Sequence, residues 1–205
     1  MSKKPLIVFE GIESSGKTHH INNVAKYLIK KKKEFIQIRE PGGNKNSEKI
    51  RDLILNNKSK FNKGTDLLLY LAARSENVEL IKKNLGKKII LIDRFIDSTV
   101  AYQHYGMNLD IKLIKIINNY LLGKIKVDFT FLNTVNKKNM ESRLRHRKKL
   151  NRYDKFSNFF YKKVQDGFLK ILKRNPKKYM LIDSNLDINL NEKIILNKID
   201  NLIKT

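Results

Sequence analysis

Short apolar runs alternate with longer amphipathic segments along the whole 205-residue sequence. The apolar runs are residues 6–10, 35–39, 89–93, 129–133 and 180–183. Continuous apolar runs of this length are typical of strands that are buried on both faces. Helical spacing marks residues 18–32, 47–55, 66–85, 98–105, 111–122, 137–147, 156–174 and 190–203. This alternation predicts an α/β fold, in which a mainly parallel five-stranded sheet is flanked by helices within a single domain.

The composition favours a small soluble enzyme. Lys and Arg number 44 against 20 Asp and Glu, which gives a net charge of +24. Such an excess can indicate a nucleic-acid partner, but the basic runs are scattered and are not interleaved with aromatic residues. The absence of cysteine excludes disulfides and thiolate zinc sites, and the N-terminal apolar run is too short for a signal peptide or a membrane span. We therefore expect a cytoplasmic protein with neither a membrane nor a nucleic-acid partner.

A phosphate-binding loop lies between the first strand and the first helix. Its sequence is GIESSGKT, residues 11–18, with the spacing G-x-x-x-x-G-K-T. The backbone N–H groups of such a loop and the N-terminus of the following helix bind anionic phosphates. We expect Lys17 to bridge the β- and γ-phosphates of ATP and the Thr18 hydroxyl to help hold Mg²⁺. The predicted ATP-binding residues are Gly11, Ile12, Glu13, Ser14, Ser15, Gly16, Lys17 and Thr18.

Two further strands end in residues suited to ligand binding. Asp93 and Arg94 end the third apolar run, and the carboxyl edge of a parallel sheet faces the ligand crevice. We expect Asp93 to hold Mg²⁺ directly or through water, and Arg94 to grip a second phosphate. An ordinary surface ion pair is the alternative. REPGG, residues 39–43, follows the second strand and predicts a fixed turn that approaches a ligand, or a simple strand-to-helix connection.

Two helical segments carry side chains suited to a nucleotide. Tyr70 and Arg74 share one helix face, where a ring and a guanidinium group suit a planar base. A core tyrosine beside a solvated arginine is the alternative. The segment RLRHRKKLNRYD, residues 143–154, lacks a clear apolar stripe and predicts a mobile lid, whose arginines would serve phosphoryl transfer, or a solvated helix end. The lid arginines are Arg143, Arg145, Arg147 and Arg152.

Five stretches, taken in order, resemble the motifs of the bacterial thymidylate kinases, a family of P-loop nucleoside-monophosphate kinases. They are FEGIESSGKT, REPGG, LLLYLAARSENVE, DRFIDSTVAYQ and RLRHRKKLNRYD, and they span nearly the whole chain. The resemblance implies transfer of the γ-phosphoryl group of ATP to dTMP, which gives dTDP and ADP for dTTP synthesis. It also implies Mg²⁺ as the cofactor and a homodimer, with apolar contact surface expected on the helix at 66–85 or at 98–105.

The resemblance further implies roles for single residues. Glu13 would lie near the acceptor sugar and phosphate, and Arg94 would hold that phosphate. Tyr70 stands where the family usually stacks a Phe on thymine, and Arg74 would hydrogen-bond the base. The other residues expected in the dTMP pocket are Pro41, Ser98, Thr99, Tyr102 and Gln103. One style of the family carries its catalytic arginine in the phosphate loop, and the other style carries it in the lid. This loop has serines, so the sequence resembles the second style. The expected catalytic set is therefore Lys17, Glu13 and Arg94 with the lid residues Arg143, Arg145 and Arg147.

Some positions depart from the family pattern, and three other functions stay open. Ser14 replaces a common Gly, His19 replaces a small hydroxyl residue, Asn151 replaces an Asp, and residues 44–47 lack the usual Thr and Gly. None of these changes removes a group that phosphoryl transfer needs. The alternatives are a kinase for a deoxynucleoside or another monophosphate, a nucleic-acid-binding ATPase or switch protein, and an inactive scaffold. Intact Lys17, Thr18, Asp93 and Arg94 argue against the scaffold.

Overall fold

The computed structural model describes residues 4–204, and its strands form one parallel sheet. The strands are β1 (Leu6–Gly11), β2 (Phe35–Arg39), β3 (Ile89–Asp93), β4 (Phe129–Thr134) and β5 (Tyr179–Asp183). Their order is β2-β3-β1-β4-β5, and every neighbouring pair is parallel. All five predicted strands and the predicted fold class are therefore confirmed.

Helices connect the strands at the predicted places. They are α1 (Lys17–Lys30), α2 (Lys45–Leu55), α3 (Lys63–Asn84), α4 (Ile96–Thr99), α5 (Ile111–Leu122), α6 (Lys137–Arg145), α7 (Asn158–Arg174) and α8 (Ile188–Lys204). The helix predicted at 98–105 begins as α4 and continues as a π-helix, Val100–Gly106. Short 3₁₀ turns occupy Tyr153–Lys155 and Pro176–Lys178.

Capping side chains explain why several helices begin away from the predicted residue. The side chain of Asn44 accepts hydrogen bonds from the backbone of residues 46 and 47, and Asn62 caps α3 in the same way. These caps satisfy N–H groups that lack partners within the helix, so α2 and α3 begin earlier than the apolar pattern indicates. Ser157 caps α7, which consequently begins at Asn158.

Helices cover both faces of the sheet, which is why the central strands β1, β3 and β4 are buried along almost their whole length. On one face Leu6 and Val8 pack with α3, and on the other Ile7 and Phe9 pack with α1 and α8. The buried partners include Ile38, Val78, Ile81, Ile90 and Ile92 on the first face, and Ile21, Val24, Leu28, Ile195 and Ile199 on the second. Within residues 4–204, no helix has the length and apolar character needed to cross a membrane.

The sheet brings the predicted loops together at one edge. Because all strands are parallel, the carboxyl ends of β1, β2 and β3 lie side by side, with Phe9 and Arg39 both in register with Asp93. The phosphate loop, the REPGG turn and the segment after β3 all begin at these ends. The tertiary structure therefore gathers three motifs that are widely separated in sequence.

Candidate active site

A cleft of about 410 Å³ opens at this edge of the sheet. Its walls come from the phosphate loop, the REPGG turn, α3, the segment after β3 and the lid segment. Most predicted site residues line it, namely Glu13, Ser14, Ser15, Gly16, Lys17, Thr18, Pro41, Tyr70, Arg74, Asp93, Arg94, Ser98, Thr99, Tyr102, Gln103, Arg143 and Arg147. The other predicted residues, Gly11, Ile12, Arg145 and Arg152, are not among its lining residues.

Backbone conformation explains the glycines of the phosphate loop. Gly11 has φ +140, and a Cβ atom there would lie 2.2 Å from the carbonyl oxygen of Asn133, so no other residue fits. Gly16, with φ +86, precedes the first residue of α1. Ser14 adopts φ +55, which is the left-handed region that glycine tolerates best. The departure from the family pattern at Ser14 therefore places a non-glycine residue in a strained conformation.

The Lys17 ammonium lies inside the loop. Its Nζ donates to the carbonyl oxygens of Ile12 at 2.7 Å and Gly11 at 3.0 Å, and to Ser15 Oγ at 3.3 Å. Only 5% of the residue is exposed. Burial, together with the nearby charge of Arg94, lowers the pKa of Lys17 to about 8. Gly11 and Ile12 thus contribute to the site through their carbonyl groups, which hold the lysine.

Thr18 and Asp93 provide oxygen atoms suited to Mg²⁺. Thr18 Oγ1 donates to Asp93 Oδ2 at 3.0 Å, while Asp93 Oδ1 is buried without a hydrogen-bond partner. Mg²⁺ usually takes one or two protein oxygens and completes its shell with water and substrate phosphates. Among the described residues, no group of three or more His, Cys, Asp or Glu side chains could hold a metal by itself. The residues therefore fit Mg²⁺ bound together with a nucleotide.

Arg94 joins the phosphate loop to the opposite wall of the cleft. Its Nη1 donates to the carbonyl oxygen of Gly11 at 2.8 Å, and its Nη2 pairs with Glu13 Oε1 at 2.9 Å. The Tyr102 hydroxyl donates to the second oxygen of Glu13. Burial acts to raise the pKa of Glu13, but the charges of Arg94 and Lys17 outweigh it and lower this pKa below its usual value. Glu13 is thus an ionised group with both oxygens engaged.

Arg74 is fixed at the far end of the cleft. It is 2% exposed, and its guanidinium donates to Glu40 Oε2 at 2.8 Å, Asn118 Oδ1 at 2.6 Å and the carbonyl oxygen of Phe95 at 2.9 Å. The alternative of a solvated arginine is therefore wrong. Gln103 also lines the cleft, is 1% exposed, and has no hydrogen-bond partner at its Nε2.

The structure separates the lid arginines. Arg143 donates to the carbonyl oxygens of Ser14 at 3.0 Å and Ser184 at 2.6 Å, so it lies across the phosphate loop. Arg147 lines the cleft and pairs with Asp154. Arg145, which was predicted with them, is exposed at the end of α6 and does not line the cleft.

The rest of the lid is attached to α2 and α3. Arg152 pairs with Asp66 and donates to the carbonyl oxygen of Ile54 at 3.1 Å. Tyr153, which is 2% exposed, donates its hydroxyl to Asp66 at 2.9 Å, and its ring lies edge-on to Tyr70. Arg152 is thus an anchor of the lid on the body of the protein and is not among the residues that line the cleft.

Sequence reasoning missed several lining residues, of which Arg51 is the most informative. It lies on α2, lines the cleft and donates to the carbonyl oxygen of Pro41 at 2.5 Å. Burial, followed by the charge of Arg39, lowers the pKa of Arg51. The available signal was an arginine nearly two turns into the helix that follows REPGG, in a chain that otherwise uses lysine heavily.

The cleft brings the phosphate loop together with two further arginines, Arg94 and Arg51, which also line it. An enzyme that moves a phosphoryl group onto an acceptor already carrying a phosphate needs this arrangement. The fold and the site together define a P-loop nucleoside-monophosphate kinase.

Comparison with known proteins specifies the kind of kinase. Residues 9–195 match the family described as Thymidylate kinase. The chain belongs to the thymidylate kinase family, whose reaction is the ATP-dependent phosphorylation of dTMP to dTDP. The predicted family, fold, enzyme type and reaction are thereby confirmed.

Individual relatives cover nearly the full chain. The thymidylate kinase of Acholeplasma laidlawii is 38% identical over 202 residues, which are 97% of this chain and 98% of that protein. The thymidylate kinase of Kosmotoga olearia is 36% identical over 184 residues, which are 89% of this chain and 88% of that protein. The crystal structure of thymidylate kinase from Ehrlichia chaffeensis aligns with this structure at a TM-score of 0.78 and 32% sequence identity. The alignment covers 97% of this chain and 99% of that chain.

Proposed function

We propose that this chain phosphorylates dTMP by direct in-line transfer from ATP, without a covalent enzyme intermediate. The observation that carries this mechanism is the contact between the two phosphate sites: Arg94 Nη1 lies 2.8 Å from the carbonyl oxygen of Gly11 in the donor loop. An acceptor phosphate held by Arg94 would therefore lie next to the γ-phosphate of ATP. Because the acceptor phosphate is already ionised, positioning and charge stabilisation suffice for catalysis.

Donor binding is assigned to the phosphate loop and to two oxygen ligands. Lys17 would leave the carbonyl groups of the loop and donate to the β- and γ-phosphates. Thr18 and Asp93 would hold Mg²⁺, which neutralises negative charge on the phosphates when it is bound. The support is the unpartnered Asp93 Oδ1 beside Thr18 Oγ1.

Acceptor binding is assigned to the opposite wall. Arg94 and Arg51 would hold the dTMP phosphate, with Glu13 orienting Arg94 rather than acting as an obligatory base. Tyr70 would stack on thymine, while Arg74 and the unpartnered Gln103 Nε2 would donate to carbonyl oxygens of the base. The remaining residues proposed for this pocket are Pro41, Ser98, Thr99 and Tyr102.

Arg147 is the proposed transfer arginine of the lid, because it lines the cleft and its charge lowers the pKa of Glu13. Arg143 would instead hold the donor nucleotide from across the loop. We expect Arg147→Ala to lower kcat about a thousandfold and Arg143→Ala to raise the KM for ATP, while Arg145→Ala serves as the exposed control. A larger loss of kcat in Arg145→Ala than in Arg147→Ala would reverse the assignment.

An ADP-release assay with ATP, Mg²⁺ and a panel of acceptors tests the proposed function. The panel is dTMP, thymidine, dUMP, dCMP and dGMP. Turnover with dTMP well above the others is the expected result. ADP release that is independent of acceptor, or that rises only with DNA or RNA, would indicate an ATPase and contradict the assignments of Tyr70, Arg74 and Arg94.

A homodimer belongs to the same proposal. Of the two surfaces expected to carry it, the segment 98–105 has residues 99–103 buried within the chain, whereas α3 exposes Leu68. The outer face of α5 also exposes Leu113, Ile116 and Tyr120, at 47%, 67% and 85%. These three residues follow helical spacing and form an apolar stripe suited to a second copy. Ile116→Lys should halve the mass measured by light scattering, and an unchanged dimer would exclude α5.

A cytoplasmic location, testable by cell fractionation, completes the proposal.

A further inference from the structure

Glu10 is a buried carboxyl group that lies outside the cleft and directly precedes the phosphate loop. It is 1% exposed, belongs to β1, and is not among the residues that line the cleft. None of the roles assigned above uses it. A carboxyl group buried this deeply requires hydrogen-bond partners. The partners therefore show what the group holds in place.

The hydrogen bonds that the Glu10 carboxyl group accepts come from the segment that follows Arg94. Its Oε1 accepts from the backbone N–H groups of Phe95 at 2.8 Å and Ser98 at 3.1 Å. Its Oε2 accepts from Ser98 Oγ at 2.5 Å. These contacts span 85 and 88 residues of sequence. Glu10 thus fixes the start of α4 relative to the strand that carries the donor loop.

The backbone that Glu10 holds begins immediately after a strained residue. Arg94 has φ +67, which is rare for a residue other than glycine and persists only where the surroundings enforce it. The N–H of Arg94 donates to the carbonyl oxygen of Phe9 at 3.0 Å, and the next N–H, that of Phe95, donates to Glu10. Neighbouring residues of β1 therefore hold both sides of the strained residue.

We propose that Glu10 is a positioning residue, which holds the backbone of residues 95–98 so that the Arg94 side chain points at the acceptor phosphate. This inference rests on the proposed role of Arg94 in dTMP binding. The strand β1 would therefore position both the donor loop, which follows it, and Arg94, which would bind the acceptor phosphate.

The three hydrogen bonds that hold residues 95–98 need acceptor atoms at this position and do not require a negative charge. Burial, and after it the charge of Asp97, raise the pKa of Glu10 to about 7. A neutral group in the same place keeps all the contacts, because Oε1 still accepts from both N–H groups and the Ser98 hydroxyl can turn to accept. A glutamine has the same shape and the same capacity. Alanine removes the acceptors and leaves the two buried N–H groups without partners.

The preference for dTMP over thymidine gives a readout that a general loss of stability does not change. Thymidine lacks the phosphate that Arg94 and Arg51 would hold, so the ratio of the dissociation constants of thymidine and dTMP measures how tightly these arginines hold that phosphate. In Glu10→Ala we expect this ratio to fall at least tenfold and kcat/KM for dTMP to fall about 10²-fold, with thymidine and ATP affinities within about twofold of wild type. In Glu10→Gln both quantities should stay close to wild type.

Tyr179→Phe is the matched control. The Tyr179 hydroxyl donates to Asp97 Oδ2 at 2.8 Å, so this variant loses a hydrogen bond to α4 but keeps the three contacts of Glu10. It should lose thermal stability without losing the preference for dTMP over thymidine. An equal loss of preference in Tyr179→Phe and Glu10→Ala, or a wild-type preference in Glu10→Ala, would overturn the inference. If Glu10→Ala does not fold, a weakened preference in folded Glu10→Gln overturns it. Failure of wild-type enzyme to phosphorylate dTMP would instead refute the proposed function.

Discussion

Replacing Lys17 with methionine should stabilise the folded protein while it abolishes catalysis. The Lys17 ammonium is buried among carbonyl groups, and its pKa is lowered from 10.5 to about 8. At 1.36 kcal/mol for each pKa unit, the charged lysine at this site is about 3 kcal/mol less favourable than in the unfolded chain. Methionine has a similar length and no charge, so it avoids this cost. Because it also leaves the carbonyl groups of Gly11 and Ile12 without the ammonium, the net gain is about 1–3 kcal/mol.

The pH dependence identifies the cause of that gain. A lowered pKa means that the unfolded chain binds more protons than the folded one between about pH 8 and pH 10.5. The stability of the wild-type protein therefore rises with pH across this window, by about 2 kcal/mol between pH 7 and pH 9.5. The Lys17→Met variant lacks this contribution. The difference in stability between the two proteins should accordingly narrow as the pH rises.

Urea unfolding at pH 7 and at pH 9.5, followed by circular dichroism, measures both effects. Lys26→Met is the control, because Lys26 is exposed on the same helix. We expect the difference in unfolding free energy between Lys26→Met and wild type to be the same at pH 7 and at pH 9.5. MgATP should stabilise the wild-type protein and not Lys17→Met, so that saturating nucleotide reverses their order. A Lys17→Met variant that is less stable than wild type at pH 7, with a gap that does not change at pH 9.5, would refute the reasoning.

Three further predictions concern the loop, the base and the lid. Ser14→Gly should raise stability by up to about 1 kcal/mol, because it relieves the left-handed strain at φ +55; an unchanged thermal midpoint would count against that strain. Tyr70→Ala should raise the KM for dTMP about tenfold or more, whereas Tyr70→Phe keeps the stacking ring and should stay within about twofold of wild type. Asp66→Asn removes the charge that anchors Arg152, so trypsin should cleave residues 143–154 faster than in wild type; equal cleavage rates would show that this ion pair does not hold the lid.

The sequence by itself determined the sheet, the helices and the donor loop. These features depend on local signals: apolar runs for buried strands, helical spacing between them, and glycines where the chain needs a positive φ. The spacing G-x-x-x-x-G-K-T predicted a strand, a loop and a helix, and β1, the loop and α1 follow in that order. Helix ends were less accurate, because capping residues such as Asn62 lie outside the apolar pattern.

Only the tertiary structure decided which side chains share the cleft. Arg143, Arg145 and Arg147 are equivalent in sequence, but the direction of α6 places Arg143 over the loop and leaves Arg145 in solvent. Arg51 was overlooked, since nothing in its neighbourhood shows that α2 packs beside Pro41. Glu10 looks like one more residue of a buried strand until the fold brings Phe95 and Ser98 to it across more than eighty residues. Such contacts arise from strand order and helix packing, which depend on the whole chain and leave no periodic signal near the residues that they join.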